Sequence, residues 1–280
     1  MVAGMALLTL SNAVTKKLTV GYPPGEVVVL RAIFVFIPIA FLVWREGGLS
    51  ALRINSFAGQ TVRAGFLIIS TFLMIVALGL LPLADVMAIT FAGPLVITAL
   101  AGPMLGETVG WRRWAAVCVG FAGILIMLKP DPAVFQLSAL LPLCVAFSSS
   151  MRDLVTRRIS VGESSTAILC FSTSAVLLSG LATLPFATVP VVSSDLPLFA
   201  LAGCLQGAAH YALIEAFRHG EAAAVAPFKY TALLWATLFG ALVFGDFPDI
   251  WIWTGAVPVV ASGLYILRRE SMLRRAARSA

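Results

Sequence analysis

Apolar residues run along this chain in long blocks, not in alternation. Ten blocks cover residues 2–20, 25–44, 59–80, 83–105, 111–129, 136–158, 164–186, 196–217, 221–244 and 249–268. Each is close to the roughly 20 residues that an α-helix needs to cross a bilayer, and each predicts one membrane-spanning helix. The interruptions are turn-forming or charged: Tyr22-Pro23-Pro24-Gly25, Trp44-Arg45-Glu46-Gly47-Gly48, Lys129-Pro130-Asp131-Pro132 and Gly245-Asp246-Phe247-Pro248. The boundary near 80–84 is thinner, with only Leu-Pro-Leu-Ala between two runs. Barrel strands would alternate polar and apolar positions, and these runs do not. The predicted fold is all-α and integral to a membrane, with ten transmembrane helices.

Composition strengthens that picture. Sixty per cent of the 280 residues are apolar and 11% are charged, against about 25% charged in a soluble domain. Mean hydropathy is +0.99. A net charge of +6 does not point to nucleic acid, because the bases sit at the ends of apolar runs and in the tail RRESMLRRAARSA. With the N-terminus in the cytoplasm, 14 arginines fall on the cytoplasmic side and only Lys16, Lys17 and Lys129 outside, with Arg31 and Lys229 inside helices. The positive-inside rule then places both termini in the cytoplasm of a bacterial inner membrane. MVAGMALLTLSNAVTKK lacks a basic stretch before its apolar run, so it reads as a first membrane helix, not a cleaved signal. Cys118, Cys144, Cys170 and Cys204 lie in apolar runs without a CxxC pair, and are expected as small buried hydrophobes with no metal or disulfide role.

The chain repeats itself. VTKKLTVGYPPGEVVVLR aligns with VTRRISVGESSTAILCFS at a shift of 141 residues. MLGETVGWRRWAAVCVGFAG aligns with VFGDFPDIWIWTGAVPVVAS at a shift of 139, matching Gly106 to Gly245, Glu107 to Asp246 and Trp114 to Trp253. The reading is a duplicated five-helix unit, residues 1–132 and 133–280, the second followed by a short basic tail. Five is odd, so the second copy enters the membrane from the opposite face. Such inverted-topology repeats build transporters, with a substrate site near the midplane between the halves.

The stretch AxxxLPLADVMAITFAGPLVITALAGPMLGETVGWRRWAAVCVGFAGILIM, starting near Ala77, resembles the drug/metabolite transporter superfamily, EamA type. The features carrying the resemblance are a fourth helix rich in small residues, then Leu-Gly-Glu, then Gly123 sixteen residues past the acid. Arg31 early in helix 2 also looks like a family feature. The second copy keeps Gly245-Asp246 and Gly255 but has Asp for the usual Glu, and Ser262 where a glycine is expected. The resemblance implies transport of a small metabolite, closest to export of aromatic and neutral amino acids. Alternatives are riboflavin-like vitamins, S-adenosylmethionine and cationic drugs.

Polar groups inside apolar runs are the candidate site. A charge within a membrane is costly and usually faces an interior or a watery cavity. Lys229 lies eight residues into helix 9, about 12 Å deep at 1.5 Å per residue. It reads either as the partner of an anionic cargo group or as a snorkelling base paired with Glu215. His210 lies at similar depth, flanked by Tyr211, Tyr230 and Trp235 as a tolerant apolar wall. The counterparts of Lys229 and His210 at the shift of 139 are Thr90 and Thr71. Asn12, Ser149 and Gln206 are further cavity candidates, each with helix cementing as the alternative. Arg31 and Asp85 are expected near the outer face, as a charge pair. Glu107 and Asp246 are expected to tie short loops to neighbouring helix ends or to hinge the halves. Gly93-Pro94 and Ala226-Pro227 predict helix breaks at Pro94 and Pro227. Gly102-x-x-x-Gly106 and Ala236-x-x-x-Gly240 predict close helix approach.

Other classes fare worse. The chain has no GxxxxGK[ST], HExxH or GxSxG motif, and its two histidines, His210 and His219, are nine residues apart. An ATP-driven pump and a membrane enzyme therefore lack their machinery, and no cofactor is expected. A non-transporting scaffold remains as the third class. The expected partners are a small-molecule substrate and the lipid bilayer, with a monomer or homodimer as the assembly.

Overall fold

The structure, a computed structural model, describes all residues except 82, 108, 129–139, 245–249, 252–253, 256, 259–260, 263–264 and 266–280. The expectations placed on Lys129, Asp246, Trp253 and the basic tail, and most of the tenth predicted span, lie outside the described residues, as does the side chain of Asp85.

Among the described residues there are helices and no strands. In order they are α1 (Val2–Leu18), α2 (Pro24–Arg45), α3 (Phe57–Leu80), α4 (Leu83–Thr90), α5 (Gly93–Leu105), α6 (Trp111–Leu128), α7 (Leu140–Ile159), α8 (Ser165–Leu181), α9 (Leu196–His219), α10 (Ala222–Val225) and α11 (Thr231–Phe244). Short 3-10 turns cover Leu49–Leu52, Leu184–Phe186, Ser193–Asp195 and Ala226–Tyr230. Five described segments are long and apolar enough to cross a membrane: Pro24–Arg45, Phe57–Leu80, Ser165–Phe186, Ser193–His219 and Ala222–Val243.

Two predicted spans are not single helices. The run 83–105 breaks at Phe91-Ala92, because Pro94 has no N–H to continue α4 and instead sits in the first turn of α5. The run 221–244 breaks at Ala226–Tyr230, where Pro227 forces a 3-10 turn carrying Lys229 and Tyr230. Helix starts are set locally: the Ser56 hydroxyl accepts from Gly59 N at 3.3 Å and the Ser164 hydroxyl from Ala167 N at 2.9 Å.

Helices α1 and α9 pack along one another, as do α3 and α7. Helix α2 lies against both α8 and α9, and α11 lies against α1. The apolar core includes Met5, Leu78, Phe91, Tyr230 and Leu233 at the α1–α11 side, and Leu18, Val28, Ile75 and Phe199 nearer the 18–28 turn. Helices α2 and α9 approach one another closely. A Cβ added to Gly203 would lie 2.4 Å from Arg31 O and 2.6 Å from Phe34 Cβ, and one on Gly207 would lie 2.6 Å from Pro38 Cγ. The expectation at Gly102/Gly106 and Ala236/Gly240 is corrected, since an added Cβ at Gly106 or Gly240 meets nothing within 4 Å. The cysteine expectation is corrected too: Cys118 and Cys144 are exposed on the helix surface, Cys170 and Cys204 half-buried, and none is in a disulfide.

Both ends of the bundle are tied by hydrogen bonds. At one end, Glu163 Oε1 accepts from Asn55 N at 2.7 Å and Ser56 N at 2.5 Å, and Arg113 pairs with Glu221 at 2.6 Å. At the other, the Tyr22 hydroxyl donates to Asp195 Oδ2 at 2.7 Å, and Glu26 Oε2 accepts from Val189 N at 3.1 Å.

Candidate functional site

The packing of α1, α3, α4, α7 and α9 around the 3-10 turn at Lys229 leaves a central cavity. It holds about 760 Å³ of non-atom space, open solvent at its mouth included. Asn12, Thr71, Thr90, Ser149, Gln206, His210 and Lys229 all line it. These residues come from six separate elements, and share only that each is polar in the middle of an apolar run. The remaining wall is Met5, Leu8, Leu67, Met74, Met87, Phe91, Val145 and Leu213, with Arg31, Ser70 and Arg152 as further polar groups.

The aromatic residues placed near the site by sequence stand elsewhere. Tyr211 follows His210 by one residue, and one helical step is a rotation of about 100°. Its hydroxyl donates to Glu46 Oε1 at 3.2 Å. Tyr230 is buried, donates to Val117 O at 3.3 Å, and sets its ring edge on Phe91 at 5.7 Å. Trp235 stacks on Phe239 at 6.2 Å. The apolar wall is corrected to thioethers, leucines and Phe91.

Lys229 is held by Asp153, not by Glu215. Its Nζ lies 2.5 Å from Asp153 Oδ2. Arg152 donates to the other oxygen, Oδ1, from Nε at 2.9 Å and from Nη2 at 2.8 Å. One carboxylate, 3% exposed, thus serves two cations. Glu215 instead bonds to Ser165 and, at 3.0 Å, to His219 near the end of α9. Sequence reasoning missed Arg152 and Asp153 because MRDLVTRR reads as a cytoplasmic charge cluster closing a span. The available signal was spacing: Arg152 lies three residues after Ser149, on the same helix face.

Polar contacts orient the rest of the wall. Ser11 donates to Ala202 O at 2.8 Å and to Gln206 Oε1 at 3.3 Å. Gln206 Nε2 lies 3.0 Å from His210 Nε2. Asn12 Nδ2 approaches Met87 Sδ at 3.9 Å, and Thr90 donates to Met87 O at 2.7 Å. Ser149 donates to Ala146 O at 3.2 Å. Arg31 is on the cavity wall. It donates to Thr15 Oγ1 at 3.2 Å and has no carboxylate partner among the described residues.

Glu107 joins the end of α5 to the start of α10. The α5 helix terminates at Gly106, at φ +70°, with Gly106 N bonded to Gly102 O at 2.9 Å and Glu107 N to Ala101 O at 3.3 Å. That left-handed turn, easy for glycine, swings Glu107 back so that its carboxylate accepts from Ala222 N at 2.7 Å and Ala223 N at 3.0 Å. Arg157 Nε lies 3.7 Å from the same carboxylate. Glu107 therefore caps α10, four residues before Pro227 and the turn that carries Lys229. Pro94 is buried beside the same turn, where Ser150 donates to Gly93 O at 3.0 Å.

The wall is positive. Arg31, Arg152 and Lys229 line the cavity, and no carboxylate among the described residues does. Among the described residues, the only acid in direct contact with those cations is Asp153, behind them.

The model of the EamA-like transporter family matches residues 1–129. A riboflavin transporter of Rhizobium johnstonii is 31% identical over 280 residues, covering 98% of this chain and 91% of that one. An S-adenosylmethionine uptake transporter of Rickettsia prowazekii is 30% identical over 192 residues, covering 68% of this chain and 64% of that one. A solved crystal structure superposes with a TM-score of 0.79 over 96% of this chain and 97% of its own, at 20% identity, a likeness in fold alone. None of these relatives is named for amino acids, and the amino-acid exporter expectation is set aside.

Proposed function

The chain belongs to the EamA-like transporter family, and from that premise we propose that it is a secondary transporter of a planar metabolite of the flavin type, carried by alternating access through the central cavity. The observation that carries the cargo class is the cavity wall. Met5, Met74, Met87 and Phe91 offer a soft apolar surface to a flat ring system. Asn12, Thr71, Thr90, Ser149 and Gln206 offer hydrogen bonds to carbonyls and to a hydroxylated tail. A cationic cargo such as S-adenosylmethionine would meet Arg31, Arg152 and Lys229, with Asp153 already engaged by two of them. Like charges at such range repel strongly in a low-dielectric site.

The repeat supports the transport mechanism. The contact of α1 with α9 has a counterpart in that of α7 with α3, and the contact of α1 with α11 a counterpart in that of α7 with α4 and α5. The two broken spans correspond as well, with Thr90 and Lys229 at equivalent places. Interrupted helices at matching points of two inverted halves mark the substrate site in this kind of architecture. Both termini are proposed to lie in the cytoplasm, which puts the Glu107–α10 cap and the Glu163 contacts at the cytoplasmic end.

Uptake of labelled riboflavin into proteoliposomes holding the purified chain, with unlabelled S-adenosylmethionine and neutral amino acids as competitors, tests the reading. Riboflavin counterflow above empty liposomes, unaffected by S-adenosylmethionine, is the expected result. Counterflow of S-adenosylmethionine with none of riboflavin would refute the cargo class.

A further inference from the structure

Arg31 sits at the junction of two spaces. It lines the central cavity and also a side pocket between α2 and α8, of about 360 Å³, whose rim shares Thr71, Gln206 and His210. It is 5% exposed. A guanidinium carries five N–H donors and no acceptor, and the described protein takes up one of them, at Thr15. A charge held away from bulk water without a counter-charge is unfavourable, and an anion in the cavity would relieve that cost.

The second half of the chain sharpens the contrast. At the shift of 141, Thr15 corresponds to Thr156 and Arg31 to Ser172. There the place of Arg31 is filled from across the bundle by Arg63, whose Nε donates to Thr156 Oγ1 at 2.7 Å and whose Nη1 donates to Ser172. Two groups anchor Arg63, which lies beside Asp153 in the layer behind the cavity. Arg31 has neither the second hydroxyl nor the acid.

We propose that Arg31 is an anion subsite of the cargo cavity, and that the cargo it takes is a flavin bearing a phosphomonoester, seated with its phosphate between Arg31, Thr71 and Gln206. The inference rests on the flavin-type reading and names the charged form of that cargo. The charge count agrees: Arg31, Arg152 and Lys229 against Asp153 leave an excess of at least two positive charges at the wall, and a phosphomonoester brings about −1.5 to −2. The planar fork of arginine suits a phosphate held by two parallel bonds.

The experiment is equilibrium binding to the purified full chain in nanodiscs, read by tryptophan quenching, for wild type, Arg31→Gln and Arg31→Lys. Wild type should bind flavin mononucleotide about tenfold or more tightly than riboflavin, the scale of one or two charge-assisted hydrogen bonds. Arg31→Gln should abolish that preference, and Arg31→Lys should keep part of it. A wild type without the preference, or an Arg31→Gln variant that loses both flavins equally, would overturn the proposal. If neither flavin binds wild type, the flavin reading fails and inorganic phosphate decides the subsite. Phosphate protection against heat that Arg31→Gln lacks supports it, and equal protection overturns it. If Arg31→Gln does not fold, Arg31→Lys carries the test, and an unaltered preference for the phosphorylated flavin there counts against the fork.

Discussion

Removing Asp153 and removing Lys229 should have very different consequences, although the two are partners. Asp153 holds Lys229 at 2.5 Å through Oδ2 and Arg152 at 2.8 and 2.9 Å through Oδ1. All three are at least 90% buried. Asp153→Asn leaves two adjacent cations with no acid, and deleting one member of a buried ion pair costs about 3–5 kcal/mol. Lys229→Met replaces an ammonium with an apolar chain of similar length and leaves Asp153 paired with Arg152, so no buried charge is stranded and the large cost of an uncompensated charge does not arise. The double variant Asp153→Asn/Lys229→Met removes one of the two stranded cations and should recover part of the loss. For a chain of this size 1 kcal/mol moves the melting temperature by roughly 2–4 °C, so Asp153→Asn should melt about 6–20 °C below wild type in detergent. Lys229→Met should lie within a few degrees of wild type and still lose transport. Fluorescence-detected size exclusion after heating measures the order, and riboflavin counterflow measures activity. A Lys229→Met variant as unstable as Asp153→Asn, or a double variant worse than Asp153→Asn alone, would refute the shared-carboxylate account.

Three further outcomes are expected. Gly203→Leu should fail to accumulate as folded protein, because its first side-chain carbon already meets Arg31 O at 2.4 Å, while Gly240→Ala, in open space, should match or exceed wild type in stability by up to about 1 kcal/mol; thermal melts of the two decide it. Glu107→Gln should weaken the cap of α10 by about 1 kcal/mol and raise thiol labelling of a cysteine placed at Lys229, with labelling unchanged from the Glu107 parent as the contrary result. Single cysteines at Gly48 and Gly162 should react only from the cytoplasm, and one at Val191 only from outside; any other pattern removes the proposed topology.

Much of the cavity is visible from sequence by a single physical rule. Asn12, Thr71, Thr90, Ser149, Gln206, His210 and Lys229 are polar groups deep in apolar runs, and hydrocarbon leaves such groups nowhere to go but inward. The rule fails where composition and direction part company. Tyr211 and Tyr230 adjoin true lining residues in sequence, but neighbours point about 100° apart on an α-helix and about 120° apart on a 3-10 turn, and those two turn to Glu46 and Val117. Arg152 and Asp153 lie close enough to the end of their run to pass for topology signals, and only their facing position on α7 separates them from Arg157 and Arg158. The α2–α9 glycine contact was invisible because Gly203 and Gly207 resemble many small-xxx-small spacings in the chain, and spacing alone does not say which helix is opposite. The helix breaks at Pro94 and Pro227 were legible, since a missing N–H acts wherever the helix lies.

Gly203 and Gly207 seat α9 directly on the backbone of α2, so those two helices are welded. One belongs to the front of the chain and the other to its back. In the proposed alternating access, a swing that empties the cavity carries both together and slips along some other seam. The pieces proposed to move are therefore not the two halves that the sequence repeat marks: the repeat draws one dividing line through the molecule, and the α2–α9 contact draws another.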